Sequence, residues 1–289
     1  MSATARVALA TSDLGLAWDT DLPLMLEALR ARGLDAVAAV WDAPDFDWSR
    51  CAAVVIRSTW GYERRLAEYL SWADAVEGVT RLDNPAWLVR WNTDKRYLGE
   101  LAGRGVPVVP TRFIAPGESV ALPGHGQFVV KPTVSAGSRG AARYTQDHHE
   151  TAAGHIAALH AAGSTAMVQP YLTRMAEGER ALVFLGGSFS HAIRKGPVLT
   201  DIGTVDNDRV PHPDLVPHLA SPAELALAEA ALAAVPGSPE LLHARVDIAT
   251  GDDGAPVVME LELVEPNLFM GHGEHALSRF TDLVRGRAT

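Results

Sequence analysis

Cysteine is nearly absent from this chain: Cys51 is the single thiol among 289 residues. One cysteine excludes an intramolecular disulfide and a thiolate metal site, and it fits a reducing cytoplasm. Positive charge is also in short supply. Lys and Arg number 25 against 35 Asp and Glu, a formal net charge of −10, with no basic block to offset it. A grip on the nucleic-acid backbone is therefore disfavoured, and an acidic chain that handles polyanions must use a few local cations or a metal. Long apolar runs are missing too. The N-terminal VALA is too short for a signal segment and no uninterrupted span reaches membrane length, so secretion and membrane insertion are not expected. Neither G-x-x-x-x-G-K-[ST] nor a G-x-G-x-x-G following a strand occurs.

What is present is enough apolar material, 47% of residues, for a well-buried core in two or three subdomains. The first ninety residues alternate apolar runs with helical periods: RVALAT (6–11), DLPLMLEALRARG (21–33), DAVAAVW (35–41), CAAVVIRS (51–58) and YERRLAEYLSWADAV (62–76). This is a βαβ rhythm, and its nearly all-apolar strands suit a parallel sheet covered on both faces. It predicts a doubly wound α/β domain over 1–85. Over 86–172 the reading is a helix capped by Asn92 and closed at Gly103 to Gly105, a strand from near Val108, then a compact α+β unit. Over 173–289 it is a hairpin turning at Gly186-Gly187, an Ala-rich helix (222–235) and a second hairpin, HARVDIATGDDGAPVVMELELVE. The Pro/Asp-rich segment 197–217 has little apolar material and reads as a mobile loop.

Three stretches could carry chemistry. In FVVKPTVSAGSRGAARY, Lys131 stands where Pro132 is expected to end regular pairing, beside a loop in which Ser135, Gly137, Ser138 and Gly140 let backbone N–H groups approach an anion. A plain hairpin turn with an incidental lysine has the same appearance. In the second hairpin, Asp247 precedes the turn, and Glu260 and Glu262 lie two apart on the returning strand, hence on one face. Arg245 shares a face with Asp247. Three converging carboxylates among apolar neighbours call for a cation, and hard oxygen donors suit Mg²⁺ or Mn²⁺; a solvated edge hairpin has an equal claim on this segment. In MVQPYL a strand breaks at Pro170, which would free the backbone beyond Gln169 to meet a purine edge. His272 and His275 in GHGEH lack obvious partners for a zinc site.

Taken in order, NTDKRYLGELAGRGVPVVPT, FVVKPTVSAGSRG, MVQPYL with EGERALVF, and RVDIATGDDGAPVVMELELVEPNL resemble the ATP-grasp superfamily, from about Asn84 to the C-terminus. The resemblance implies the ATP-grasp fold: an N-terminal α/β domain, a central domain and a C-terminal domain, with ATP between the last two. It implies that Lys95 and Lys131 contact the α and β phosphates, and that the loop from Ser135 to Gly140 closes over the triphosphate. It places Gln169 at the adenine amine, with Pro170, Tyr171 and Leu172 as the linker, and Glu179 at the ribose hydroxyls. Asp247, Glu260 and Glu262 match its metal ligands, although the third is usually asparagine, so Glu262 adds charge. The customary small-residue turn after that ligand is replaced by LVEPNLF. Arg245 and Arg194, with Lys195 beside the latter, match basic positions at the γ phosphate or an acyl phosphate.

IRSTWGY (56–62), SHAIRKGP (190–197) and MELELVEPNLF (259–269) are similar to the branch that contains cycloserine synthetases, the O-ureido-serine cyclo-ligases. That likeness implies phosphorylation of a carboxylate, attack by a nitrogen of the same molecule and closure of a ring, in a pocket for one small amino-acid-like substrate. Ligands of open α/β sheets gather beyond the carboxyl ends of strands, which nominates Arg57 for a carboxylate, Ser58 and Thr59 for the ureido or amino group, and Trp60 as an apolar cover. Thr11 to Asp13 would line the same crevice, and Asn267 is grouped with the substrate residues. Core packing accounts for Trp60 equally well. The rival expectations are an amino-acid ligase joining two substrates and a nucleotide-binding module without activity; a homodimer is compatible with either.

Overall fold

A computed structural model describes residues 5–199, 201–205, 207 and 215–288. Three sheets follow one another along the chain. The first contains β1 (Arg6–Thr11), β2 (Asp35–Val40), β3 (Ala53–Ser58) and β4 (Arg81–Asp83), all parallel, in the spatial order β2-β1-β3-β4. The inner strands β1 and β3 are buried nearly throughout, because α2 (Asp21–Ala31) and α3 (Leu66–Glu77) cover opposite faces. On α2, Leu22, Met25 and Leu29 recur at helical spacing and pack on Val7, Leu9 and Val55. A short helix that the periodicity does not reveal, α1 (Asp13–Trp18), follows β1 directly and is capped by the Ser12 side chain.

Two connecting helices, α4 (Ala86–Asn92) and α5 (Tyr97–Gly103), lead to the second sheet. Here the structure corrects the cap expected at Asn92. It is the last residue of α4, and its amide donates to Leu261 O at 2.8 Å and accepts from Leu263 N at 2.7 Å. A buried strand end needs partners for its backbone, and this side chain supplies them more usefully than a cap would.

The second sheet is antiparallel, β5 (Arg112–Ile114), β6 (Gln127–Pro132), β7 (Ala142–Thr145) and β8 (Ala166–Pro170) in the order β5-β8-β6-β7. One face packs Phe128, Val130 and Tyr144 against Ile156 of α6 (His149–Ala161). Each proline is the last residue of its strand, as expected, but pairing does not stop there. Pro132 pairs with Ala166 and Pro170 with Phe128, and the next residues continue the ladder, Thr133 N to Thr165 O and Tyr171 N to Gln127 O. Adjacent N–H groups point to opposite sides, so each proline's missing donor faces the side where the neighbouring strand has already stopped pairing.

The third sheet orders β9 (Glu179–Leu185), β10 (Ser188–Lys195), β11 (Leu215–His218), β12 (His243–Thr250) and β13 (Pro256–Glu262) as β11-β10-β9-β12-β13, antiparallel throughout. Gly186 and Gly187 both take positive φ, +56° and +75°, which closes the two-residue turn between β9 and β10. One face buries Phe184, Val246, Ile248 and Leu261 under α5 and α7 (Pro222–Ala233), whose start carries a capping box of Ser221 and Glu224. The last helix, α8 (Ala276–Arg287), returns to pack Phe280 and Val284 with α2. In the segment 197–217, residues 200, 206 and 208–214 lie outside the described residues, while 215–217 belong to edge strand β11. No described helix is long and apolar enough to cross a membrane.

Candidate active site between two sheets

Strand alternation builds one charged face on the third sheet. Asp247 stands opposite Glu260, and Arg245 opposite Glu262; the register shifts only beyond Asp247, where Met259 is passed over, so both charged pairs lie in the regular part of the ladder. One strand over, Glu179 stands opposite Lys195. On β6, Lys131 lies on the side away from Val130 and α6, as does Gln169, which faces Val129 from β8. Lys95, just before α5, closes the gap between the sheets: its Nζ is 3.1 Å from Glu260 and 2.5 Å from Ser135 O.

The ion pairs on this face are nearly, but not entirely, complete. Lys195 bonds Asp247 and sits 3.1 Å from Glu179, while Arg245 bonds both oxygens of Asp247, at 2.8 and 3.0 Å, and also Glu262. Burial by itself would raise Asp247, yet Arg245 and Lys195 hold its carboxyl well below the usual range. Burial pushes Glu262 up to about 7, with Asp247 and Glu260 adding to the rise and Arg245 opposing it. Lys131 makes no ion pair with any described residue, and burial lowers its pKa, reinforced by Lys95 and Lys195 and resisted by Glu260 and Glu179. An amine held among carboxylates but bonded to none is placed to take an incoming anion with several oxygens.

The carboxylates also fit a hard divalent cation by donor type, since Asp247, Glu260 and Glu262 offer only oxygen on one face. Among the described residues no three His, Cys, Asp or Glu side chains are gathered around one point, because these three are turned to Lys95, Lys195 and Arg245. A bound cation would take over donors that the basic side chains now occupy.

This arrangement, with a parallel domain in front of two antiparallel sheets, has counterparts of known identity. A family model described as the N-terminal domain of the D-cycloserine synthetase DcsG matches residues 7–84. The cycloserine biosynthesis protein DcsG of Streptomyces lavendulae is 41% identical over 296 aligned positions, covering 97% of this chain and 98% of the relative. The crystal structure of D-cycloserine synthetase DcsG matches with a TM-score of 0.91 at 41% identity, covering 99% of this chain and 100% of that one. The chain belongs to the D-cycloserine synthetase family. It is an enzyme, and its fold is that of the ATP-grasp ligases. The ATP-grasp ligase PsnB, complexed with a minimal precursor, Mg and ADP, has a TM-score of 0.66 at 18% identity, covering 100% of this chain and 99% of that one. The D-alanine–D-alanine ligase of Bacillus anthracis complexed with ATP also scores 0.66, at 14% identity, over 99% and 97% of the two chains.

Set on this fold, the loop residues hold their expected region but not all their expected freedom. Ser135 is buried, and Gly137, Ser138 and Gly140 have φ of +60°, +59° and +66°. A Cβ at Gly140 would meet Pro132 Cδ at 3.0 Å, and the Gly140 N–H already donates to Asn207 Oδ1 at 2.8 Å. Gln169 is buried and gives its amide to Thr111 Oγ1 at 2.8 Å. Beyond it, Pro170 is exposed, the Tyr171 N–H is committed to Gln127, and Leu172 packs with Val109 and Met175. The backbone there is less open than the strand break predicted.

The residues nominated after β3 are corrected most. Arg57 is 1% exposed and its terminal nitrogens donate to Pro266 O, Asp19 (3.2 Å) and Asp21 (3.4 Å), so both are already committed to protein acceptors, while its buried Nε has none. Ser58 bonds Thr11 at 2.8 Å and Thr59 bonds Tyr69 at 2.8 Å, both fully buried, and Ser12 also bonds Ser58. Trp60 is half-buried, with its ring N–H reaching Glu265 O at 3.4 Å. On β10, Arg194 is exposed on the face opposite Lys195, because neighbouring strand residues alternate, and it does not join Arg245. Asn267 serves its own turn: its carbonyl accepts from Arg245 and its side chain from Phe269 N.

Two acids that the sequence does not mark lie nearby. Glu265 is half-buried, and burial, followed by the charge of Glu262, pushes it up to about 8. Glu63 is nearly enclosed at the end of the parallel sheet. In GYERR it reads as an ordinary solvated charge, and LVEPNLF gives no periodicity from which to place Glu265.

Proposed function

We propose that this enzyme is an ATP-dependent cyclo-ligase that phosphorylates the carboxylate of O-ureido-D-serine and closes the isoxazolidinone ring of D-cycloserine. The γ phosphoryl group of ATP passes to the carboxylate, leaving ADP. The nitrogen bonded to the ether oxygen then attacks the carbonyl carbon and expels phosphate. Water removes the carbamoyl group as carbon dioxide and ammonia. One organic substrate is consumed, which fits one pocket.

The observation that carries this reading is the uncommitted ammonium of Lys131 over a face where every other cation has a carboxylate partner. Positioned positive charge of this kind stabilises charge building on a transferring phosphoryl group. Lys95 and Lys131 are assigned to the phosphates, Gln169 and the backbone of Tyr171 and Leu172 to the base, and Glu179 to the ribose. Arg245 and Lys195 are assigned to the reacting phosphate. Asp247, Glu260 and Glu262 are assigned to Mg²⁺, which when bound supplies charge neutralisation between the phosphates. Arg245 holds Asp247 ionised, so that carboxylate is ready for a cation.

The test is ADP release with Mg²⁺ and ATP, comparing O-ureido-D-serine, its L isomer and a panel of amino acids, with mass analysis of products. The expected result is one ADP per ring-closed product, from the D isomer alone. ADP only with paired amino acids moves the assignment to a two-substrate ligase, and no ADP with any of them leaves a nucleotide-binding protein.

A further inference from the structure

We propose that Glu63 binds the ammonium group of the amino-acid substrate, with Glu265 as the second carboxylate of that subsite; this rests on the cyclo-ligase reading. The side chain of Glu63 is 8% exposed, and neither of its carboxylate oxygens has a hydrogen-bond partner. The nearest cations, Arg139 Nε at 3.7 Å and Arg64 Nε at 3.9 Å, stand beyond hydrogen-bond range on side chains that are themselves 37% and 61% exposed. Carboxylates removed from water normally collect donors, so an enclosed one without them is short of a donor that a ligand can bring.

Location makes that donor a substrate group. Glu63 lines a cleft of about 410 Å³ together with Ser135 and Gly140 of the phosphate-side loop, and Ser135 O accepts from Lys95 Nζ, so the cleft adjoins a cation assigned to the phosphates. Glu265 enters from the turn after β13, where its backbone carbonyl accepts from Trp60 Nε1 at 3.4 Å, three residues before Glu63 in the chain. It forms no ion pair with any described residue.

Charge complementarity supplies the second half of the argument. Lys95, Lys131, Lys195 and Arg245 provide for anions, that is for the substrate carboxylate and the phosphates. An amino acid brings one further charge, an ammonium with three N–H donors, and acceptors free of other donors are what it requires. Fixing the carboxylate among the cations and the ammonium at Glu63 leaves one direction for the ureido-oxymethyl arm. The enantiomer, held at the same two points, would turn that arm away, so the subsite also accounts for chiral selection.

The competing role for Glu63 is to dock the loop through Arg139. The two separate with full-length protein, O-ureido-D-serine and the analogue lacking its α-amino group. In Glu63→Gln the preference for the amino substrate over the analogue is expected to fall about tenfold or more, through KM for the amino substrate, while KM for ATP and turnover of the analogue stay within about twofold. Glu265→Gln is expected to act in the same direction and less strongly. Equal losses on both substrates, reproduced by Arg139→Ala, overturn the inference in favour of loop docking, and so does an unchanged preference. Should Glu63→Gln not fold, Glu63→Asp is expected to raise KM for the amino substrate alone; an unchanged KM is again negative. Failure of the cyclo-ligase reading has its own signature, absence of ADP release by the unmodified enzyme, and takes the inference with it.

Discussion

Arg57 at the end of β3 and Arg245 on β12 each sit between two carboxylates, deep in the protein, yet they belong to different kinds of region. Arg57 holds Asp19 and Asp21 and the carbonyl of Pro266, which ties the parallel domain to the segment after β13; Asp21 reinforces the tie by accepting from Met270 N. Arg245 holds Asp247 and Glu262, but over that face stands Lys131 of the second sheet, which is bonded to no acid, and Lys95 links Glu260 of the face to the loop at Ser135. Buried charge that ties distant segments together fixes the structure, and a buried ammonium with no acid bonded to it is available for a ligand. The contrast divides the residues nominated from sequence into those that act and those that hold.

The largest effect expected is at the second region. Lys131→Ala and Glu260→Gln should each reduce turnover by at least about 100-fold while leaving the urea midpoint unchanged. Loss of folding in Lys131→Ala would erase the distinction just drawn. Arg57→Met should show the reverse pattern, a destabilisation of about 3–5 kcal/mol in urea titrations, because Asp19 and Asp21 are left buried without their cation. Adding Asp19→Asn and Asp21→Asn should recover part of it; no recovery would mean that Arg57 acts through packing rather than charge.

A pH titration sharpens the comparison further. His243, 1% exposed at the start of β12, is kept neutral by burial and by the charges of Arg57 and Arg287, with a pKa lowered from 6.5 to about 4. The unfolded chain binds its proton below about 6.5 and the fold only near 4, so stability should drop by up to about 3 kcal/mol as pH falls through that window and level off beneath it. In His243→Gln this part of the loss should vanish, read as the difference between urea curves at pH 7 and pH 5. The smallest effect is expected for Arg194→Ala, within about twofold in kcat/KM, since its side chain points to solvent. A large loss there would place the reacting phosphate on the other face of β10.

The legible parts of this protein were those governed by local periodicity. The parallel strands of the first sheet, the Gly186-Gly187 hairpin and the pairing of β12 with β13 follow from patterns spanning a few residues, and the same alternation put Asp247, Glu260 and Glu262 on one face. Prolines 132 and 170 do end their strands, but the backbone bond made by the residue after each was not legible, because it depends on which side of the strand still has a partner. RSTW misled because its place at a strand end is also the place where a domain is fastened.

The sequence by itself determined the order of elements, the two hairpins and the carboxylates available to a cation, because alternation and turn chemistry act over short distances. Only the tertiary structure decided which charges are enclosed and which are free. Arg57 meets its acceptors 36 and 38 residues away on one side and 209 on the other, and Glu63 shares its cleft with a loop that begins some seventy positions later. Burial and Coulomb interaction depend on distance in space, and no local pattern in the chain encodes that.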